Sequence, residues 1–380
     1  MRKEGGMKKA REASHAGTWY SSNPRDLDHF FRECLDKAKK QSTDNEEETE
    51  EEEKKKKKKS GRVFALICPH AGYSYCGQTA AYAWAKIHRP NANIRRVFVL
   101  GPSHYVYLTA CALPSSSLDS YLTPYGKIPL DQQVMKSLRE KSEEEEGEEG
   151  GRGLFFETLS IEDDEAEHSI EMQLPFLHYI LLQNSAKFTL VPIVVGDLRP
   201  SSHRRLARLL LPYLSSEENF FVFSSDFCHW GKRFRYTYLP SSSSSGEGTN
   251  DHEEVRPIYE RIEILDKEAA SLIVKKDTQD SACNLKYDTS TCISTCVYTS
   301  IAMLSTYTTY KERRAKKHPA LAFFSQSMLS ESSSSSSSSL DFAVEFLHYS
   351  QSSQVVDASS SSVSYAAFSA TLSQSKSNEN

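Results

Sequence analysis

Three histidines share a sequence context, each following a short apolar run within a few residues. Residues 62–68 (RVFALIC) lead into Pro69-His70-Ala71-Gly72-Tyr73, and residues 96–100 (RVFVL) lead into Gly101-Pro102-Ser103-His104. Residues 220–223 lead into Ser224-Ser225-Asp226-Phe227-Cys228-His229-Trp230-Gly231. Imidazole is the commonest metal ligand and the usual general acid or base near neutral pH, so a cluster of His70, His104 and His229 serves either chemistry. A fourth candidate, His168, stands in Glu165-Ala166-Glu167-His168-Ser169-Ile170-Glu171. Its i,i+3 spacing to Glu165 and to Glu171 places imidazole and carboxylates on one helix face, which suits a metal or an oriented imidazole. For the carboxylates alone, the expected role is to complement the dipole of the helix they enter.

Other chemistries are weaker. Cys228 and His229 have the ingredients of a thiol nucleophile and its base, but adjacent residues on a turn point apart. Ser103-His104 lacks the Gly-x-Ser-x-Gly elbow of a hydrolase. No phosphate-cradling glycine loop or dinucleotide fingerprint occurs. The eight cysteines are scattered, and the one close spacing, Cys292-Ile-Ser-Thr-Cys296, has no second pair to complete a zinc site. Glycines 72, 77, 101 and 231 beside the histidines permit tight turns and close backbone approach, with ordinary turns the expected reading for each alone.

The positioning elements follow from the apolar patterning. Strands are expected at 62–68, 96–100, 188–195 and 220–223, and helices at 78–87, 170–182, 201–214 and 258–274. Further strands are expected at 320–324, 341–348 and 363–370. Alternation of this kind gives a largely parallel sheet covered on both faces, with right-handed crossovers. In such sheets, ligands bind outside the carboxyl ends of the strands, where the histidine loops would meet. Low-complexity segments near 41–60, 141–153, 241–250 and 330–339 read as loop expansions of one domain spanning 11–370, with tails at 1–10 and 371–380. A net charge of -5 gives no field for nucleic acid or an anionic membrane surface. No window reaches the ~20 apolar residues of a membrane helix, and the first ten residues lack the apolar core of a secretion signal. The expected location is cytoplasmic, with Lys54–Lys59 as a possible nuclear signal offset by the adjoining acidic run.

Taken together, Arg11-Glu-Ala-Ser-His-Ala-Gly-Thr-Trp-Tyr20, Pro69-His-Ala-Gly-Tyr-Ser-Tyr-Cys-Gly77, Leu100-Gly-Pro-Ser-His104, Glu167-His-Ser-Ile-Glu-Met172 and Ser224-Ser-Asp-Phe-Cys-His-Trp-Gly231 stand in the order seen in the Memo family. Tyr349-Ser-Gln-Ser-Ser-Gln354 and Ser361-Ser-Val-Ser-Tyr-Ala-Ala367 extend the resemblance to the carboxyl end. It implies an α/β/α sandwich around a mostly parallel sheet, similar to class III non-haem-iron extradiol dioxygenases. It also implies iron or copper held by His70, His104 and a cysteine, with redox activity. The family's Thr-Ile-Cys-Gly pattern with a following proline is altered here to Ser290-Thr-Cys-Ile-Ser-Thr-Cys296. The ligand is placed at Cys292, ahead of the helix-like run 297–304, with Cys296 as the alternative.

By the same resemblance, Asp226 and His229 are catalytic candidates beside the metal; His168 joins them from its own sequence, because it would open a helix beside the same sheet edge. An imidazole–thiolate set suits copper, zinc or iron and leaves a position for oxygen, water or substrate. A thiolate in place of a facial-triad carboxylate separates this site from dioxygenase chemistry proper. The family's second role is that of a non-catalytic adaptor for phosphotyrosine peptides in receptor and cytoskeletal signalling. Its contacts here would be Trp19, His70, His104, His229 and Cys292.

Overall fold

The computed structural model describes residues 9–44, 61–87, 93–144, 155–182, 187–214, 216–240, 256–275 and 339–375. Strand β1 (Lys9–Arg11) and helix α1 (Pro24–Asp44) come first, followed by β2 (Arg62–Cys68), α2 (Tyr73–Trp84) and β3 (Arg96–Pro102). Short strands β4 (Cys111–Leu113), β5 (Leu118–Thr123) and β6 (Gly126–Pro129) precede α3 (Gln132–Glu144) and β7 (Phe156–Thr158). Three helices then follow closely: α4 (Ile161–Ala166), α5 (His168–Glu171) and α6 (Leu174–Leu182). The remainder is β8 (Thr189–Val195), α7 (Pro200–Leu214), β9 (Asn219–Ser224), β10 (His229–Trp230), α8 (Ile258–Lys275), β11 (Ser339–Gln351) and β12 (Ser362–Ser375).

The large sheet runs β10-β12-β2-β9-β3-β8-β4-β7, with β11 also paired to β12. Its centre is parallel: β2 on β9, β9 on β3, and β3 on β8. These four strands are almost wholly buried apolar runs, as expected where both faces are covered. The long β11–β12 ribbon attaches antiparallel beside β2, so the sheet is mixed rather than purely parallel. Helices pack around it, giving the expected layered α/β architecture, and one hydrophobic core joins most of the elements. Beside it, β1, β5 and β6 form a three-stranded sheet that holds the N-terminal segment against the body.

Several elements depart from the expected bounds. Helix α2 begins at Tyr73, and Gly77 lies inside it rather than in a turn, because the Phe30 ring occupies the space a side chain would need. Gly101 likewise lies within β3, whereas Gly231, with φ +125°, is a true turn glycine. The helix expected over 170–182 is broken into α5 and α6. Pro175 lacks an N–H and its ring clashes with the carbonyl four residues back, at Glu171, where α5 ends. Strand β12 continues to Ser375, past position 370 where the domain was expected to end. The strand expected at 320–324 lies outside the described residues, as do the greater parts of the low-complexity segments.

Candidate metal centre

Strands β2, β9 and β3 are neighbours and parallel, so their carboxyl ends open on one edge of the sheet. His70 lies two residues beyond β2, His104 two beyond β3, and His229 in the short β10 that follows β9. The fourth imidazole comes from the first residue of α5, which packs on β3 and β8. His70, His104 and His168 each bring a ring nitrogen within 4.8 Å of the others. Their ring centroids lie 4.4 Å apart for His104–His168, 5.1 Å for His70–His104 and 5.5 Å for His70–His168. Among the described residues this is the one such group of metal-type side chains.

Hydrogen bonds fix two of the rings. Ser224 donates its single hydroxyl proton to the Ser169 carbonyl (2.6 Å), so His70 must donate Nδ1–H to Ser224 Oγ (2.9 Å). The basic nitrogen of His70 is then Nε2. His104 donates both its backbone N–H (2.6 Å) and Nδ1–H (3.0 Å) to Glu167, so its basic nitrogen is also Nε2. A carboxylate or carbonyl behind the imidazole is the usual support of a metal ligand, setting its tautomer and orientation. Glu167 also caps α5 by accepting the Ser169 N–H, so the residue that begins the helix orients a histidine from another loop.

The charge states follow from burial. Burial holds His70 well below the ordinary imidazole range, reinforced by His104, His168 and His229 nearby. It pushes His168 down to about 3 and His229 down to about 4. Burial works to raise Glu167, but hydrogen bonds and charge from His104 and His168 prevail and hold it at about 2. The outcome is uncharged imidazole at His70 and His168 beside an ionised carboxylate. Asp226, whose Oδ1 accepts the His70 N–H at 2.7 Å and whose Oδ2 lies 3.9 Å from His70 Nε2, is pushed up to about 7 by burial. His229 donates Nδ1–H to the Phe227 carbonyl (3.0 Å), which leaves Nε2 basic.

The N-terminal segment closes the site from the other side. Trp19, 37 % exposed, lies 4.5 Å from His168 with the two rings tilted by 40°, and His15 stands edge-on to Trp19. Exposed Tyr75 lies in the first turn of α2, close after His70, and exposed Tyr105 and Tyr107 lie on the loop that carries His104.

The structure therefore brings His70, His104 and His168 together, with Asp226 against His70, His229 close enough to affect its charge, and Trp19 on His168. Cys292 and Cys296 lie outside the described residues, and the described cysteines, 34, 68, 76, 111 and 228, are buried thiols apart from the histidine group. Cys228 turns into a separate cluster with Trp230, Tyr236 and Leu265, so no thiol–imidazole dyad forms with His229. Ser103 bonds the Val106 carbonyl rather than His104.

The carboxylates do more than complement a helix dipole, which corrects the expectation for Glu171. Glu171 is fully buried and accepts from Arg11 Nη1 (2.7 Å), His15 Nδ1 (2.9 Å) and the Tyr20 hydroxyl (2.7 Å). Glu165 accepts the Glu12 N–H. His15, Arg11 and Ser224 were not singled out from the sequence. The signal for the first two was the same motif that supplied Trp19, and that for Ser224 was its place at the end of an apolar run.

A family model described as Memo-like protein matches residues 11–344. The chain is 36 % identical to Protein MEMO1 of Rattus norvegicus over 357 residues, covering 94 % of this chain and 96 % of that one. Protein MEMO1 of Homo sapiens is 35 % identical over the same shares. A memo-1 homolog of Caenorhabditis elegans is 38 % identical over 263 residues, 69 % of this chain and 62 % of its own length. With the family model spanning most of the sequence and vertebrate relatives aligning along nearly all of it, the chain belongs to the Memo family.

Proposed function

We propose that the protein binds one first-row transition-metal ion, iron or copper, at His70, His104 and His168, and acts as a metal-dependent redox protein. The observation that carries this reading is the convergence of three imidazoles with two tautomers already set to present Nε2. The donor set fits: imidazole suits iron, copper, zinc and nickel. At a metal–nitrogen distance of about 2.1 Å, ligand nitrogens lie about 3–3.4 Å apart, so side-chain rotations of on the order of 1 Å would close this group on an ion. Behind the rings, Glu167 and Glu171 are ionised and buried while Arg11 supplies one positive charge, an imbalance that favours a cation.

A bound iron or copper ion would supply one-electron chemistry and Lewis acidity. The chain's own groups do the rest. Asp226, poised at about 7, holds or releases a proton on its carboxyl, and neutral His229 accepts one at Nε2. Trp19 forms an aromatic wall on His168 and narrows access of water to the cluster. Cys292, the third ligand implied by the family resemblance, is the alternative to His168 in that role.

Metal analysis tests the reading. Protein loaded without oxygen should hold about one ion per chain, and His70→Ala with His104→Ala should lose it; unchanged stoichiometry in the double variant overturns the proposal. Comparing His168→Ala with Cys292→Ser identifies the third ligand. Metal-dependent oxygen consumption supports chemistry at the site. A second reading, a phosphotyrosine-peptide adaptor in motility and cytoskeletal signalling, is favoured by the exposed aromatics Trp19, Tyr75, Tyr105 and Tyr107 around the histidines. Tight binding of a tyrosine-phosphorylated peptide by metal-free protein, abolished in Trp19→Ala, would establish it instead.

A further inference from the structure

Arg11 lies in the first described strand, 153 residues from Asp164, yet it is fully buried and every guanidinium donor is engaged. Nε reaches the Asp164 carboxylate and carbonyl (both 3.1 Å). Nη1 reaches Glu171 Oε2 (2.7 Å) and the Glu12 carbonyl (2.7 Å). Nη2 reaches the carbonyls of Asp164 (2.7 Å) and Glu167 (2.9 Å). Apart from the Glu12 contact, all of these partners fall within 164–171, the segment that carries Glu167 and His168.

A buried ion pair is weak evidence for stability, since apolar replacements of equal volume are often as stable or more so. What such a fork does provide is geometry, because a planar guanidinium fits carbonyls and carboxylates in one arrangement only. Here the fork crosses the α4–α5 junction. The Glu167 backbone it holds belongs to the residue whose carboxylate orients His104, and the next residue is His168. The Glu171 carboxylate it neutralises in turn receives Nδ1–H of His15 and the hydroxyl of Tyr20, which flank Trp19 in sequence. His15 thus stands to Glu171 as His104 stands to Glu167, with His168 between them.

We propose that Arg11 is the positioning residue of the histidine cluster: it fixes the turn bearing Glu167 and His168 and, through Glu171, the ring of His15. This deepens the metal-site reading and depends on it only where metal is added. The decisive measurement uses metal-free protein. Compared with wild type, Arg11→Lys and Glu171→Gln at neutral pH should show altered, broadened imidazole 15N signals for His15 and His168, while His203, on α7, stays in place. Cu2+ titration should then give affinity weaker by about 10–100-fold, the usual effect of losing an outer support. Unchanged His15 and His168 spectra in variants with merely lower melting temperatures would overturn the proposal and leave Arg11 a fastener of the fold. Where Arg11→Lys does not fold, Glu171→Gln, equal in size to the native side chain, carries the comparison through the His168 signal alone, because it alters the His15 acceptor directly. A wild type that takes no Cu2+ removes the metal reading, and the metal-free spectra still decide the role of Arg11.

Discussion

The most direct probe of how fold and site are joined is Gly101→Ala. Gly101 sits inside β3 with ordinary extended backbone, so it is not required for conformational freedom. It is required for space. A methyl group there would meet Ser169 Oγ at 2.5 Å, Ser169 Cβ at 2.9 Å and Ile170 Cδ1 at 3.1 Å. Contact between carbon atoms is relaxed near 3.5–4.0 Å, so α5 must move out by about 1 Å. Overpacking of this kind costs about 1–3 kcal/mol and should lower the melting temperature on the order of 2–10 °C. The functional effect should exceed the structural one. Ser169 follows His168, donates its hydroxyl to the Pro102 carbonyl, and through its own carbonyl holds the Ser224 hydroxyl that fixes His70. Displacing it disturbs two of the three rings, and Cu2+ affinity should fall by about 10–100-fold. Gly126→Ala is the control, because that glycine, the first residue of β6, has φ +120° and nothing within 4 Å of the added atom. It should lose stability through strain and leave metal binding alone. Calorimetry and Cu2+ titration on both variants decide the matter: wild-type affinity in Gly101→Ala, despite a lowered melting temperature, would refute the coupling of α5 to the cluster.

Two further outcomes follow from the same contacts. Burial works against the charge on Glu171, but His15 and Arg11 prevail and hold it at about 2, below the ordinary 4.5. A depressed carboxylate stabilises the fold above its unfolded value, so this contribution, about 3 kcal/mol, is complete above pH ~4.5 and fades as pH falls toward ~2. Urea unfolding of wild type and Glu171→Gln should therefore show a stability gap that narrows through that window, and a constant gap would contradict it. Cys228→Ala should cost on the order of 1 kcal/mol for a small buried side chain and change neither metal stoichiometry nor oxygen consumption, since the thiol faces Trp230 and Leu265; loss of turnover would return Cys228 to the chemistry.

The parallel centre of the sheet was legible because β2, β3, β8 and β9 are buried on both faces and so read as unbroken apolar runs. That alone placed His70 and His104 at one edge, since both follow such runs at nearly the same distance. The small sheet was not legible. Strands β1 and β5 are short, and their pairing joins residues near 10 to residues near 120, a separation that carries no local pattern. The same obstacle hid Arg11 and His15, whose partners lie more than 150 residues away. At Gly77 and Gly101 the turn reading failed and close approach held: both are spaces left for Phe30 and Ser169.

The break between α5 and α6 is where local pattern and structure disagree most, and it is also where the site is assembled. Apolar spacing from Ile170 onward favours one continuous helix, and Pro175 prevents it. The interruption releases residues 172–173 to bind outward. The Met172 carbonyl accepts the Tyr73 hydroxyl (2.8 Å) at the start of α2. Gln173 donates to the Pro69 carbonyl (2.9 Å), next to His70, and to the Ser224 hydroxyl oxygen (3.0 Å). An unbroken helix would spend the Met172 carbonyl on its own ladder and carry the Gln173 side-chain amide, which makes both of these bonds, round with the turn. Sequences tend to contradict their own local preferences at functional sites. Here the contradiction has a definite result: one interrupted turn ties the loop after β2 to the end of β9 and sets His168 between the carboxylates that hold His104 and His15.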